Sequence, residues 1–426
     1  MSRLQSVALP ELVTRRPPVI CILTDAFRHD YVDERETPFL HSLAQGGWST
    51  PLRPILGYSD GIRATIFTGR HPDQHGYWME YCMRPSSSPW GWAQRFAALD
   101  HVPSDLMLRG GKMALSMSVL RAAAKRKRLA HMDLRNVPFR ALPYLDLTLR
   151  VPMTSYRALG APTIFDRCRE AGLGFVYLDS SRLSREALLQ RAARLPFAGI
   201  GLVFVYLHHI DMASHVFGLD SRRFRHTLRA TDELTHRTVG AVRAQFPDAP
   251  VLVFSDHGMS RITEQHGIPR LHRHPAFPSR FLFALDATMV RVWYWNDDLA
   301  LREEVREIVA STYRGHWLAG HEIDSFHLRF DSRLYGDELF LLDPGTAIFP
   351  NFHSYIRPKA MHAYDPSDPD QLGILIAPRE VDRSASPLDM VDIAPMCLGL
   401  MGLDATAEQP DARVEAAPLG EPALSR

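Results

Sequence analysis

A chain of 426 residues that is 46% hydrophobic and 23% charged has the composition of a globular protein able to bury a large core. Its 49 Lys and Arg are set against 48 Asp and Glu, so no global charge field draws it to an anionic membrane, and a nucleic-acid duplex is not expected as a partner. No apolar run approaches the roughly 18 residues that would announce a transmembrane segment. The opening "MSRLQSVALPELVTRRPP" lacks the apolar core of a signal peptide, which makes a cytoplasmic protein the expectation. Cys21, Cys82, Cys168 and Cys397 are scattered without CxxC spacing and read as reduced packing thiols.

Residues 1–17 form an N-terminal extension to the first apolar run, "PVICILTD" (18–25), which reads as a strand. A helix is predicted over 37–46 and another over 60–68, inside "GYSDGIRATIFTGRHPDQHG" (57–76). Residues 78–160 read as a lid-like insertion. It carries Trp90, Trp92 and a basic Met/Leu/Ala-rich run over 107–130 with Lys112, Arg121, Lys125, Arg126, Lys127 and Arg128. That run fits a lid offering cations to an anionic substrate, a membrane-surface contact, or a solvated basic helix beside the core.

Strands follow at "GLGFVYLD" (172–179), "GIGLVFVYLHH" (199–209) and "PVLVFSD" (250–256), alternating with helices at 184–194 and 222–245. This rhythm predicts a doubly wound α/β domain with a mostly parallel sheet, extending over 18–403. Within it, 270–350 reads as a small α+β insertion, with "RFLFALDATMVRVWYW" as strands and "LREEVREIVASTY" as a helix. The Ala/Pro/Glu-rich stretch 404–426 reads as a disordered tail.

In such sheets ligands bind beyond the carboxyl ends of the strands, so polar residues directly after an apolar run are the ones that carry chemistry. Asp25 ends the first strand, Asp211 and His215 follow "HHIDMASHVFG", and Asp256 with His257 end "VFSDHGM". His362 precedes a late apolar run in "KAMHAYDPSDPDQLGILIAP". Three Asp and three His at one sheet edge make two sets of three ligands, a composition that suits two zinc ions. Ser59, taken alone, is a good helix N-cap.

The pieces "ILTDAFRHDY", "TPFLHSLAQGG", "GYSDGIRATIFTGRHPDQHG", "DMASHVFG", "FSDHGM" and "MHAYDP", in this order, resemble the alkaline phosphatase superfamily and its type I phosphodiesterase/nucleotide pyrophosphatase branch. The resemblance implies an alkaline phosphatase-like catalytic domain with two divalent metal ions, expected to be Zn2+. Asp25, Asp256 and His257 would hold the ion that also binds the nucleophile, and Asp211, His215 and His362 would hold the other. Ser59 stands where the family places its Thr or Ser nucleophile, which implies a phosphoserine intermediate and a small phosphate ester as substrate.

Two departures qualify the resemblance. The branch carries an Asn three places after the nucleophile, and this chain has Ile62 there, followed by Arg63. The guanidinium of Arg63 offers a fork of donors to two oxygens, which makes it a candidate oxyanion clamp. Ser59 and Arg63 also match the S-x-x-x-R spacing of sulfatases, although Gly61 replaces the usual Pro or Ala and "TDAF" lacks their paired aspartates. His353, in "FPNFHSYIRPK", is a candidate substrate contact. A phosphomonoesterase, a phosphonate hydrolase and a metal-binding protein without turnover remain alternatives on the same core.

Overall fold

The computed structural model describes residues 16–101, 136–196, 199–267, 270–354, 356–383 and 388–404. The basic run 107–130, the first fifteen residues and the tail from 405 lie outside the described residues. Seven strands form the main sheet, in the spatial order Leu388–Asp389, Trp48–Arg53, Gly373–Ala377, Val251–Phe254, Val19–Thr24, Ile200–Leu207, Gly174–Asp179. Val19–Thr24 pairs in parallel with a neighbour on each side, whereas Gly373–Ala377 runs antiparallel to both of its own.

The central strands are buried at every position, which is why they read as continuous apolar runs rather than alternating ones. Their side chains still alternate between faces. Val19, Cys21 and Leu23 join one core, with the helices Ser59–Thr68, Ile164–Glu170 and Ile393–Met401. Ile20 and Ile22 join the opposite core, with Pro38–Gly46, Arg185–Ala192, His209–Phe217 and Arg222–Arg243. All four cysteines are buried free thiols, with Cys21 Sγ 3.2 Å from Cys397 Sγ. Among the described residues, no helix is long and apolar enough to cross a membrane.

The segment 270–350 builds its own antiparallel sheet from Phe281–Leu285, Met289–Tyr294, Glu338–Leu342 and Gly315–Trp317. The helix Leu299–Thr312 lays Leu301, Val305 and Val309, spaced by four, into the core of that sheet. The described parts of 78–160 belong to the same body. Tyr81–Met83 pairs with Leu145–Leu147, and Trp90 and Phe139 are buried in one cluster with Phe281 and Trp293.

Candidate active site

Each of the three central strands delivers its polar residues at the carboxyl end. Asp25 follows Val19–Thr24 directly, and its N–H donates to the carbonyl of Leu207 at the end of the neighbouring strand (2.9 Å). Asp256 and His257 follow Val251–Phe254. The helix His209–Phe217 begins just past Ile200–Leu207 and places Asp211 and His215, four apart, on one face. His362 directly follows the short strand Ala360–Met361, which pairs with Ser260–Arg261.

These residues meet as two clusters, Asp25/Asp256/His257 and Asp211/His215/His362, each with its ligand atoms within 4.8 Å of one another. In the first, His257 Nε2 lies 3.3 Å from Asp25 Oδ1, 3.6 Å from Asp256 Oδ2 and 3.0 Å from Ser59 Oγ. In the second, Asp211 Oδ1 lies 3.0 Å from His215 Nε2 and 3.8 Å from His362 Nε2. The rings of His257 and His362 stack at 3.7 Å, so the two clusters adjoin.

Three observations show that the donors fit cations. Asp25 Oδ1, Asp256 Oδ2 and Asp211 Oδ1 are buried without a hydrogen-bond partner, a costly condition for carboxylate oxygens unless a cation takes them. Second, His257 Nδ1 lies 2.7 Å from the Gly258 carbonyl and His215 Nδ1 lies 2.8 Å from that of Ala360. A carbonyl only accepts, so both rings carry a proton on Nδ1 and turn Nε2, the nitrogen a cation would take once it is deprotonated, toward the carboxylates. Third, the protein alone strains its own charges here. Burial, and then the Asp25 carboxylate, push Asp256 up to about 7. Burial opposes charge on His257, yet Asp256 and Asp25 raise it to about 10. Burial, followed by His257 and His215, presses His362 well below the ordinary histidine value.

Ser59 is the first residue of its helix rather than its cap. Tyr58 occupies the N-cap position, no side chain caps the helix, and the Ser59 hydroxyl turns to His257 instead. Gly61 lets this helix approach the backbone of the following segment, since a Cβ there would meet the Trp78 carbonyl oxygen at 2.1 Å. Arg63 ion-pairs with Asp60 and lies 4.7 Å over the ring of Tyr206, whose hydroxyl donates to Asp25 Oδ2. Arg63 therefore borders the first cluster, already engaged by Asp60. It also lines a cavity of about 320 Å3 with Asp60, Tyr77, Glu80, Tyr177 and Arg182. That cavity contains neither Ser59 nor any of the six cluster residues, and so is a neighbour of the clusters rather than their enclosure. His353 sits on the other side, its ring 5.8 Å from Tyr58, which in turn lies 5.5 Å from His362.

Sequence reasoning missed Tyr206, Tyr58 and Asp286. Tyr206 looks like one more residue of an apolar strand, and Asp286, in "FALDATM", looks like a turn former. Nothing local marks either as a neighbour of the clusters.

A mostly parallel α/β sheet with paired Asp/His clusters and a helix-borne serine at its carboxyl edge defines a hydrolase-like architecture. A model of the type I phosphodiesterase/nucleotide pyrophosphatase family matches residues 19–310, and the chain belongs to that family of phosphodiesterase-type hydrolases. Among solved structures it is similar to murine ectonucleotide pyrophosphatase/phosphodiesterase 5, also solved as an inactive variant in complex with AMP. That similarity has a TM-score of 0.65 at 15% identity, covering 92% of this chain and 97% of the murine one. The human ectonucleotide pyrophosphatase/phosphodiesterase 5 gives 0.63 at 14%, with the same coverage. At this identity the likeness speaks for the fold. No curated protein matches the sequence.

Proposed function

We propose that this chain is a two-metal phosphodiesterase in which the Ser59 hydroxyl gives up its proton and attacks phosphorus, one alcohol of the ester leaves, and water then cleaves the Ser59–phosphorus ester to release a phosphomonoester. The observation that carries this reading is the placement of Ser59 Oγ 3.0 Å from His257 Nε2, beside carboxylate oxygens with no partner in the protein. Asp25, Asp256 and His257 would hold one divalent ion and Asp211, His215 and His362 the other. A donor set mixing carboxylate with imidazole suits Zn2+. Bound there, the ions would lower the pKa of a coordinated hydroxyl and neutralise charge developing on phosphate oxygens.

The chain's own groups do the rest. Tyr206 fixes the Asp25 carboxylate, and the Gly258 and Ala360 carbonyls fix the imidazoles of His257 and His215. The amino end of the helix Ser59–Thr68 faces the reacting phosphoryl group with its unpaired N–H groups. Arg63 is the proposed clamp for a phosphoryl oxygen, which requires it to exchange part of its pairing with Asp60 for substrate. The cavity beside it accommodates a substituent of the ester.

The test is hydrolysis of a nitrophenyl phosphodiester beside the matching monoester in zinc-supplemented buffer, with wild type and Ser59→Ala. Diester turnover that falls to background in the variant is the expected result. Faster monoester than diester turnover would move the reading to a phosphatase, and unchanged turnover in Ser59→Ala would remove Ser59 from the chemistry.

A further inference from the structure

The α+β insertion contains a fully buried ion pair that the reaction above does not use. Asp286 and Arg291 are both 0% exposed, joined by Arg291 Nε donating to Asp286 Oδ2 at 2.7 Å. Isolating such a pair from water is expensive, and apolar residues of similar size would usually serve stability as well. Its position shows a use. Asp286 opens the tight turn between Phe281–Leu285 and Met289–Tyr294, and its Oδ1 accepts from Tyr81 Oη, from Arg291 and, at 3.0 Å, from His353 Nε2. Burial works against the charge on Asp286, but Arg291 and His353 hold its carboxyl well below the ordinary range, so it is an acceptor only. The proton on His353 Nε2 is therefore committed to Asp286, and Nδ1 is the ring nitrogen left for another partner.

The backbone around His353 is held as firmly as its ring. Phe352 N–H donates to Leu285 O (2.9 Å) and Ile348 N–H to Ala287 O (2.8 Å), while the His353 and Ser354 N–H groups bond to Asn351 Oδ1. The Asn136 amide closes on the Asn351 and Ser354 carbonyls. The same turn reaches the clusters: Thr288 bonds the Tyr58 hydroxyl at 2.9 Å and the Ala363 carbonyl at 2.8 Å. One turn thus orients the residue before Ser59, the residue after His362, and His353. The His353 side chain is 25% exposed, and Nδ1 has no protein partner among the described residues.

We propose that His353 is a substrate-contacting residue whose Nδ1 binds a hydroxyl group on an alcohol of the phosphodiester, and that Asp286 is the positioning residue fixing its ring and tautomer. A hydroxyl both donates and accepts, so it satisfies the ring nitrogen with or without a proton there. This assignment rests on the phosphodiesterase reading of the Ser59 site and adds a substrate class to it, diesters of polyhydroxy alcohols.

The experiment compares diglyceryl phosphate with dipropyl phosphate, symmetric diesters that differ only in hydroxyl groups, at fixed zinc with release of the phosphomonoester product as readout. Wild type should favour the diglyceryl ester. His353→Ala should lose about tenfold to a hundredfold in kcat/KM on it, and less than about twofold on the dipropyl ester. His353→Gln should recover part of the loss. Tyr81→Phe, which loosens Asp286 without stranding Arg291, should cut the diglyceryl rate in wild type and have no further effect in His353→Ala, where a purely structural role would be additive. A wild type active on the nitrophenyl diester but indifferent to the hydroxyls would overturn this assignment and leave Ser59 standing, as would equal losses on both esters in His353→Ala. Ser59→Ala turning over the nitrophenyl diester like wild type would instead overturn the reading beneath it.

Discussion

The two clusters are built by different means. Asp25, Asp256 and His257 grow directly from the ends of adjacent central strands and are at most 2% exposed. Asp211 sits in the first turn and His215 in the last turn of a short helix, with side chains about 20% exposed, and their third member arrives on a separate segment. That segment is tied down by Lys359 N–H donating to His215 O and by the Thr288 bond to Ala363. The first cluster inherits its geometry from the sheet, while the second is assembled from a helix, a loop and an insertion. The first cluster crowds its charges in a buried setting, and the second is more exposed to solvent.

The sharpest way to break this comparison is to remove one carboxylate from each cluster. Asp256→Asn and Asp211→Asn should each lower diester turnover by about a thousandfold or more and each lose one equivalent of bound metal, measured by elemental analysis. They should differ in stability. Asp256→Asn relieves the repulsion with Asp25, so the metal-free variant should melt above metal-free wild type at pH 8, whereas Asp211→Asn should move little. Equal metal-free melting temperatures for the two variants would mean that the clusters store charge strain alike.

Next in size is the response to chelation. Metal-free Asp256 is raised to about 7, mainly by burial and then by Asp25, and His257 to about 10 by Asp256 and Asp25 against burial. For both groups the folded pKa exceeds the unfolded value. Their contribution is full below the unfolded pKa and is lost as pH rises, between about 4 and 7 for Asp256 and about 6.5 and 10 for His257. Protons compete with metal in the opposite sense, so binding strengthens over the same range. The melting-temperature gap between loaded and stripped protein should therefore widen from pH 5 to pH 8, and a constant gap would argue against metal at these groups. A mild chelator should also empty the Asp211 site before the Asp256 site.

The smallest effect tests the scaffold under the tighter cluster. A Cβ at Gly258 would meet the Asp370 carbonyl oxygen at 2.1 Å, where Gly258 N–H also bonds Gln371 O. Gly258→Ala should cost about 1–3 kcal/mol in denaturant unfolding and misplace His257. A neutral result would show that the 370–372 loop yields.

The central strands were legible because burial on both faces demands unbroken apolar runs, and the residues at their carboxyl ends stood out for the same reason. Trp48–Arg53 escaped notice, since "WSTPLR" carries a proline and two hydroxyl residues; it lies near the sheet edge, beside the reversed strand and a two-residue edge strand. The helix over 59–68 was expected one residue later, and that single position separates Ser59 as a cap from Ser59 with its hydroxyl on His257. Arg63 was read for its donors alone. Its pairing with Asp60, one turn back, became visible only with the side chains in place.

By itself the sequence determined the layered, mostly parallel sheet and drew attention to six Asp and His side chains near its strand ends, because period, strand ends and short motifs are local properties. Tertiary structure alone decided how closely those six approach one another, which nitrogen each ring of His257 and His215 presents, and where Ser59 points. It also decided that Asp286, 67 residues before His353, holds that histidine beside Tyr58. Such contacts depend on how separate elements pack in three dimensions, and no local pattern in the chain encodes them.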